Sequence, residues 1–299
     1  MRPVNDHDVI LTREISPLPF RAEDAHKGDA GRVIVLGGSC SETVMVGAPA
    51  LAANAALRGG AGLVRMLLPE PIRAHATVLA PCATARTLPS EADAILRTID
   101  DFDADVVALG PGLGDTLSPG VVAEVIASST IPLVVDADGL NRLAEAAPQR
   151  LADDPARIVL TPHPGEMRRL LRAAGCDRPV ERTPESRRDA ACALVEAWGC
   201  VVVLKGRGTV VTNGQRLYIN QTGNAGLATG GTGDVLTGLI AALIGQGMEP
   251  FEAAILGVYL HGLAGDFAAE ELGRYAMTAM DLLEYLPEAF GEHELAAAE

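Results

Sequence analysis

Short apolar runs that end in turn-forming residues alternate with helical segments along most of this chain. Such runs favour strands buried on both faces, as in a parallel sheet that lies between two layers of helices. This alternation requires right-handed crossovers, so it predicts an α/β fold with a mostly parallel sheet flanked by helices on both faces. The predicted strands are RVIVLGG (32–38), GLVRMLL (62–68), ADVVALG (104–110), PLVVDAD (132–138), RIVLTPH (157–163) and CVVVLKG (200–206).

The alternation changes after the sixth predicted strand. The segment GTVVTNGQRLYINQTG (208–223) contains two short strand-like runs around an Asn-Gly pair, which is typical of two-residue hairpin turns. We therefore expect an antiparallel hairpin at one edge of the sheet. The predicted helices are 44–59, 118–128, 164–174, 184–198, 234–246, 250–270 and 279–287.

The composition is consistent with one large domain. The chain has 299 residues, of which 48% are hydrophobic, and can bury a large core. It contains no Pro/Ser-rich linker and no internal repeat. We predict a single domain over 26–290, preceded by a loosely held N-terminal extension over 1–25 and followed by a tail over 291–299.

Charge and cysteine content narrow the class of protein. The net charge of −15 argues against a nucleic-acid surface, because affinity for the phosphate backbone needs clustered Lys and Arg. The sequence shows neither the apolar core of a signal peptide nor an uncharged apolar run of membrane-spanning length. Five cysteines without a C-x-x-C pair fit a reducing compartment, so we expect a cytoplasmic protein without nucleic-acid or membrane partners. We expect these cysteines to be small core residues: Cys40, Cys82, Cys176, Cys192 and Cys200.

Unusual segments follow five of the predicted strands. In open α/β sheets, ligands bind at the carboxyl ends of the strands, which share one rim. The sequence therefore predicts a ligand site where these segments meet. They are GGS (37–39), GPGLG (110–114), DADGLN (136–141), TPHPGE (161–166) and KGRGT (205–209).

The string GGTGD precedes an apolar helical pattern that is spaced to bury one stripe, so we expect a helix that starts near Gly233. Glycines before a helix N-terminus let a phosphate approach free backbone N–H groups. Asp234 is then either a helix cap or a proton acceptor. The apolar positions are Val235, Leu236, Leu239, Ile240, Leu243 and Ile244.

A site for phosphoryl transfer needs an anion cradle, positive charge on the phosphates and a carboxylate that accepts the proton of the attacking hydroxyl. The GGTG loop, Lys205 with a bound metal, and Asp234 would supply these three parts. The chain has no Walker A motif, and VIVLGGS is not a G-x-G-x-x-G fingerprint.

The G-T-G-D helix start resembles that of the ribokinase-like superfamily, and the fuller set of motifs resembles the ADP/ATP-dependent NAD(P)H-hydrate dehydratases. The match covers most of the chain, and TPHPGE together with the string that ends in ATGGTGD is its most specific part. The segments that carry it are HKGDAGRVIVLGGS (26–39), GAPALAANAALRGGAGLV (47–64), LGPGLG (109–114), VVDADGLN (134–141), LTPHPGEMRRLL (160–171), LKGRGTVV (204–211) and GNAGLATGGTGDVLTG (223–238).

The resemblance implies repair of damaged nicotinamide cofactors, with ADP or ATP as co-substrate, ADP being favoured, and Mg²⁺ bridging the phosphates. It also implies a homo-oligomer, a tetramer in related proteins. Because only about 25 residues precede the first motif, we expect a separate epimerase protein. By matching position, Asp234 is the catalytic residue, and the hydrate of NAD(P)H contacts Ala48, Gly112, His163 and Asp234. The nucleotide contacts Lys205, Gly206, Arg207, Gly208, Thr209, Asn224, Gly231, Thr232 and Gly233. No metal ligand is assigned, because Glu166 suits either a contact to the metal through water or the first turn of its helix.

Several alternatives remain at this stage. The chain departs from the family pattern at residues 44–46, where Val-Met-Val replaces an aromatic residue. We expect His261 to be structural. A kinase acting on a vitamin precursor and a non-catalytic nucleotide sensor also fit the phosphate motifs. Three polar residues of the fourth strand end are interpreted as helix caps: Asp136, Asp138 and Asn141.

Overall fold

A computed structural model describes residues 9–298 of the chain. The strands are β1 (Ile10–Thr12), β2 (Arg32–Leu36), β3 (Ser39–Cys40), β4 (Val44–Met45), β5 (Leu63–Leu68), β6 (Thr84–Thr87), β7 (Val106–Leu109), β8 (Leu133–Val135), β9 (Ile158–Leu160), β10 (Val201–Leu204), β11 (Val210–Thr212) and β12 (Arg216–Ile219). The main sheet has ten strands in the order β1-β12-β11-β10-β9-β8-β7-β2-β5-β6, and β3 and β4 form a separate small hairpin.

The sheet confirms the predicted fold class. All six predicted strands are present, and they pair in parallel as β10-β9-β8-β7-β2-β5. The antiparallel hairpin is also present, with β11 between β10 and β12. The outermost strand beside it is β1, which pairs in parallel with β12 and was not predicted. This short strand lies within the N-terminal segment that we expected to be loosely held.

Helices cover both faces of the sheet. They are α1 (Gly47–Arg58), α2 (Arg73–Leu79), α3 (Ala92–Asp100), α4 (Pro119–Ser128), α5 (Ala137–Ala146), α6 (Pro164–Ala173), α7 (Pro184–Trp198), α8 (Thr232–Gly245), α9 (Pro250–Leu272) and α10 (Ala279–Ala298). The sequence missed α2, α3 and α5. It also ended the last helix at Pro287, whereas α10 continues through that residue. The domain boundaries themselves stay a prediction.

The core forms two apolar layers, one on each side of the sheet. In β2, Val33 and Val35 face the layer that contains α1, α8, α9 and α10, whereas Ile34 and Leu36 face the layer that contains α3 to α7. Successive side chains of a strand point to opposite faces, so an entirely apolar strand serves both layers. This is why the strand runs showed no polar alternation.

The helix α8 lies in the middle of its layer. We predicted burial along one stripe, but residues from Val235 to Ile244 are buried on all sides of this helix. A Cβ at Gly238 would lie 2.0 Å from the carbonyl oxygen of Ala52, so glycine allows α1 and α8 to touch backbone to backbone. The small residue Ala52 of α1 makes this contact within the chain.

The expectation that all cysteines belong to the core is wrong. Cys200 is buried, but Cys40 and Cys82 are exposed, and Cys176 and Cys192 are half-buried. Among the described residues, no helix has the length and apolar character needed to cross a membrane.

Candidate active site

The loops that follow five parallel strands meet at one rim, as predicted. Their backbones are joined by hydrogen bonds: the N–H of Gly38 donates to Pro111, that of Asp136 to Leu109, and that of Lys205 to Pro162, at 2.9–3.0 Å. These contacts bring the polar residues of the separate sequence motifs to the carboxyl edge of β2, β7, β8, β9 and β10.

The start of α8 is left open. Its N-cap residue, Gly231, has φ of 94° and offers no side chain to the first turn. Thr232 donates its hydroxyl to the carbonyls of Leu227 (2.9 Å) and Thr229 (3.1 Å), which holds the loop. Asp234 is the third residue of the helix and makes no side-chain capping bond, so the cap interpretation of Asp234 is not supported by the geometry. The free N–H groups of this turn remain available to an anion.

His261 holds the start of α8 in place through a hydrogen bond. It is buried in α9, and burial lowers its pKa to about 4, so the ring is neutral. Its Nε2 lies 2.8 Å from the carbonyl oxygen of Thr232 and donates to it. The expected structural role of His261 therefore includes positioning the start of α8.

A buried ion pair lies beside the open helix start. The Lys205 ammonium is 2.5 Å from Asp136 Oδ1, and the Thr237 hydroxyl donates to Asp136 Oδ2 at 2.6 Å. Asp136 is only 1% exposed and makes no side-chain bond to the first turn of α5, so its interpretation as a helix cap is wrong. The position that a Cβ would take on Gly233 is 3.3 Å from Lys205 Nζ, which places the ammonium at the α8 N-terminus.

The other two residues interpreted as caps link neighbouring loops. Asp138 accepts the backbone N–H of Gly114 at 2.8 Å and the side-chain amide of Asn141 at 3.1 Å. Asp138 thus ties the start of α5 to the GPGLG loop.

The carboxyl group of Asp234 is poised to exchange a proton near neutral pH. Burial raises its pKa to about 7, the negative charge of Asp136 adds to the shift, and the Lys205 ammonium opposes it. In the part of the chain that the structure describes, its side chain has no hydrogen-bond partner. A carboxylate in this state is suited to general-base chemistry.

His163 and Glu166 close the start of α6. His163 Nδ1 accepts the N–H groups of Gly165 (2.8 Å) and Glu166 (3.3 Å), and Glu166 Oε2 accepts the N–H of His163 at 2.8 Å. Because Nδ1 accepts, the neutral ring carries its proton on Nε2. Burial, followed by the charge of Lys205, lowers the pKa of His163, and burial raises that of Glu166 to about 7. His163 stays half exposed towards solvent.

Two further residues predicted to bind the hydrate lie together. A Cβ at Gly112, where φ is 61°, would be 3.1 Å from the Cβ of Ala48 and 2.9 Å from that of Met45. The β3–β4 hairpin, in which Val44 is 61% exposed, lies beside them. This hairpin carries the apolar residues that replace the aromatic residue of the family pattern.

The KGRGT loop follows β10 and has two glycines with positive φ, 139° at Gly206 and 62° at Gly208. Thr209 donates its hydroxyl to the carbonyl of Gly206 at 2.9 Å, while Arg207 is exposed. Asn224 lies apart from this loop. Its side chain binds the carbonyl of Gly265, the carboxylate of Asp266 and the N–H of Gly226, so it shapes the turn before α8.

The sequence missed Arg187, a buried cation beneath the KGRGT loop. Arg187 lies on α7, is 6% exposed, and donates Nη2 to the carbonyl of Leu204 at 2.8 Å. Its Nη1 is 2.8 Å from the position of a Cβ on Gly206, and within residues 9–298 its buried Nε has no partner. Burial lowers its pKa. The sequence feature that could have revealed Arg187 is its helical spacing, which places it on the same stripe as the buried apolar residues of α7. These are Ala190, Ala191, Leu194 and Trp198.

A family model described as NAD(P)H-hydrate dehydratase matches residues 33–288. The chain belongs to the NAD(P)H-hydrate dehydratase family. The resemblance inferred from the motifs is thereby confirmed, and overlap with a solved ribokinase-like protein confirms the predicted fold class.

Individual dehydratases show the same relationship. The chain is 44% identical to the bifunctional NAD(P)H-hydrate repair enzyme of Moorella thermoacetica over 282 residues, 91% of this chain and 51% of that protein, so it spans about half of that relative. It is 39% identical to the ADP-dependent (S)-NAD(P)H-hydrate dehydratase of Neisseria meningitidis, over 85% of this chain and 82% of that protein. The ADP/ATP-dependent NAD(P)H-hydrate dehydratase of Bacillus subtilis, crystallised with ATP and Mg²⁺, superimposes with a TM-score of 0.75 at 30% identity, covering 93% of this chain and 95% of that one.

Proposed function

We propose that this protein dehydrates the S epimer of NAD(P)H hydrate back to NAD(P)H, using ADP or ATP. The observation that carries this proposal is the open start of α8, where Asp234, with its pKa raised to about 7, lies in the same first turn that the Lys205 ammonium approaches. A proton acceptor, an anion-binding helix start and a fixed positive charge are the parts that phosphoryl transfer to a hydroxyl requires.

The proposed reaction proceeds in two stages. The hydrate hydroxyl attacks the terminal phosphorus of the nucleotide, its proton passes to Asp234, and the bond to the nucleotide's leaving oxygen breaks. Phosphate is a far better leaving group than hydroxide. The ring nitrogen then supplies the electron pair that expels phosphate, and loss of an adjacent ring proton restores the dihydronicotinamide.

The residues at the rim divide between two ligands in this proposal. Ala48, Gly112 and His163 contact the hydrate with Asp234. The adjacency of Ala48 and Gly112 and the half-exposed ring of His163 support this division. The nucleotide lies against the KGRGT loop and the α8 start, and Asn224 acts on it by shaping the preceding turn.

Lys205 acts within an ion pair rather than as a free cation. Asp136 holds the ammonium beside Gly233 and is itself held by the Thr237 hydroxyl, so the position of the charge is set before the nucleotide arrives. Preorganised charge of this kind stabilises a transition state without reorganisation during the reaction. Arg187 adds a second positive charge below the same loop.

We propose that Mg²⁺ accompanies the nucleotide and neutralises phosphate charge. Within residues 9–298, no group of three His, Cys, Asp or Glu residues is placed to hold a metal. This arrangement fits Mg²⁺, which nucleotide sites hold mainly through phosphates and water with one or two carboxylates. Glu166 is the residue proposed to contact it through water.

Three wider features belong to the same proposal. ADP is the preferred donor, as the name of the Neisseria meningitidis relative suggests. The protein acts in the cytoplasm as a homotetramer. The Moorella thermoacetica relative is bifunctional and about twice as long as the matched region.

The test is a spectrophotometric assay of NADH hydrate with ADP and ATP compared. Absorbance of reduced nicotinamide should return only when a nucleotide is present, and faster with ADP. A stable phosphorylated product from a thiazole or pyridoxal acceptor, with no recovery of absorbance from NADH hydrate, would instead indicate a kinase.

A further inference from the structure

A cleft of about 430 Å³ opens between α5 and α6, beside the rim. Its polar lining consists of Asn141, Arg142 and Glu145 from α5, with Arg169 and Arg172 from α6. A second cleft of about 320 Å³ adjoins it and shares Arg172. Its other charged lining residues are Arg168, Arg178 and Asp177. Neither cleft is lined by a residue proposed to bind the hydrate, the nucleotide or the metal.

The two clefts concentrate positive charge on a protein whose net charge is −15. Arg142 forms an ion pair with Glu145 at 2.8 Å. Arg169 and Arg172, by contrast, make no ion pair with a carboxylate in the described part of the chain. A local positive field against an acidic background attracts anions to this place on the surface. Arginine is the side chain best suited to phosphate, because its planar fork binds two oxygens together.

Hydrogen bonds connect the first cleft to the predicted hydrate site. Arg169 Nε donates to Asn141 Oδ1 at 3.0 Å, and Asn141 donates in turn to Asp138, which accepts the N–H of Gly114. Gly114 belongs to the same glycine loop as Gly112. Asn141, which lines the cleft, is thus linked by hydrogen bonds to the glycine loop that contains Gly112.

Arg169 and Arg172 are three residues apart on α6, so their side chains lie on the same face of the helix, the face that lines the cleft. His163 caps this helix and Arg169 follows six residues later, about 9 Å along the axis, with Arg172 a further turn away. A dinucleotide that places its nicotinamide at the rim must carry its diphosphate away from the ring. The nucleotide co-substrate is assigned to the loop after β10, whereas this cleft lies between the helices that follow β8 and β9.

We propose that Arg169 and Arg172 bind the diphosphate of the NAD(P)H-hydrate substrate in this cleft. The proposal rests on the proposed function for the identity of the substrate. It implies that NADH and NADPH hydrates are held by the same contacts, because both contain the diphosphate.

The test uses Arg169→Gln, Arg172→Gln and the double variant, with Arg97→Gln as control. Arg97 is an exposed arginine near the end of α3. Binding of the products NADH and NADPH is measured by the fluorescence of the reduced nicotinamide. Each single variant should raise the Kd of both dinucleotides about tenfold, because each loses one charge-assisted contact. Binding of reduced nicotinamide riboside, which has no phosphate, should not change, and Arg97→Gln should bind all three ligands like the parent protein.

The assignment would be overturned if the variants bound NADH as tightly as the parent protein. It would also be overturned if only NADPH bound more weakly, because the arginines would then contact the additional phosphate of NADPH. An equal loss of affinity for the riboside, which has no phosphate, would overturn it as well. Thermal melting checks that the variants are folded. Arginine-dependent binding of NADH by a protein that cannot convert NADH hydrate would support the cleft and overturn the proposed function, so the two failures are distinguishable.

Discussion

The first turns of α6 and α8 lie on the same rim and have the same layout. Each has glycine at its second position and a carboxylate at its third, Glu166 in α6 and Asp234 in α8. Burial raises the pKa of both carboxyl groups to about 7. The difference lies at the residue before the helix, where α6 has His163 and α8 has Gly231.

That one difference decides whether the first N–H groups of the helix are bound by a capping side chain, as in α6, or left free, as in α8. The His163 ring accepts two N–H groups of α6, and Glu166 completes a reciprocal capping box. Gly231 has no side chain, so α8 keeps its N–H groups for an anion and Asp234 keeps its carboxylate for a proton. A raised pKa is therefore insufficient to identify the base. The carboxylate must also be free of structural hydrogen bonds.

The largest expected effect separates the two carboxylates. Asp234→Asn should reduce turnover about 10²–10⁴-fold because it removes the general base, while nucleotide binding is retained. Glu166→Gln at the matching position should reduce turnover much less, since the glutamine oxygen can still accept the N–H of His163 and still contact a water on the metal. Turnover of NADH hydrate and calorimetric titration of ADP measure these effects. Comparable turnover in Asp234→Asn and the parent protein would refute the assignment of the base.

The pH dependence tests the same contrast. Asp234 must be deprotonated to accept a proton, and its pKa is raised to about 7, so kcat/KM should fall about tenfold for each pH unit below 7 and level off above it. In Glu166→Gln this acidic limb should persist. If the decrease in kcat/KM at acidic pH disappears in Glu166→Gln, the group whose protonation lowers activity is Glu166 and not Asp234.

The glycines at the second helical positions should respond differently to a methyl group. In Gly233→Ala the Cβ would lie 3.3 Å from Lys205 Nζ and in the path of the phosphate, so ADP affinity should fall about tenfold. In Gly165→Ala the Cβ would lie 2.6 Å from His163 Cε1, so the capping box should be disturbed. We expect a lower melting temperature there, with ADP affinity unchanged. Equal ADP affinity in the two variants would contradict the open state of α8.

The smallest effect concerns the cap itself. His163→Ala should destabilise the protein by about 1 kcal/mol, the usual cost of losing an N-cap. It should also raise the KM for the hydrate while ADP affinity changes little. Ser118→Ala removes the hydroxyl that caps α4 and serves as the control for stability alone. If both variants raise KM equally, the contact of His163 with the hydrate is refuted.

Much of the rim could be predicted because its signals are local. Each motif follows an apolar strand, and parallel strands bring their carboxyl ends to one edge wherever they lie in the sequence. The Asn-Gly pair at 213–214 similarly specifies a hairpin through local interactions, because Gly214 adopts a positive φ of 86° and Asn213 Oδ1 accepts the N–H groups of Gln215 and Arg216. Residues 136–141 were misjudged for the opposite reason. A carboxylate at a helix start suits a cap, and nothing nearby in the sequence shows that Asp136 has stronger partners.

The sequence by itself determined the parallel sheet, the strand ends that meet at the rim and the glycine-rich start of α8, since these depend on periodicity and on residue type. Only the tertiary structure decided which carboxylate is free. Asp136 accepts hydrogen bonds from Lys205 and Thr237, which are 69 and 101 residues away. Glu166 instead accepts the N–H of His163 at the start of its own helix. A buried charge requires an opposite charge or hydrogen bonds, and the packing of the whole chain determines which residues lie close enough to supply them.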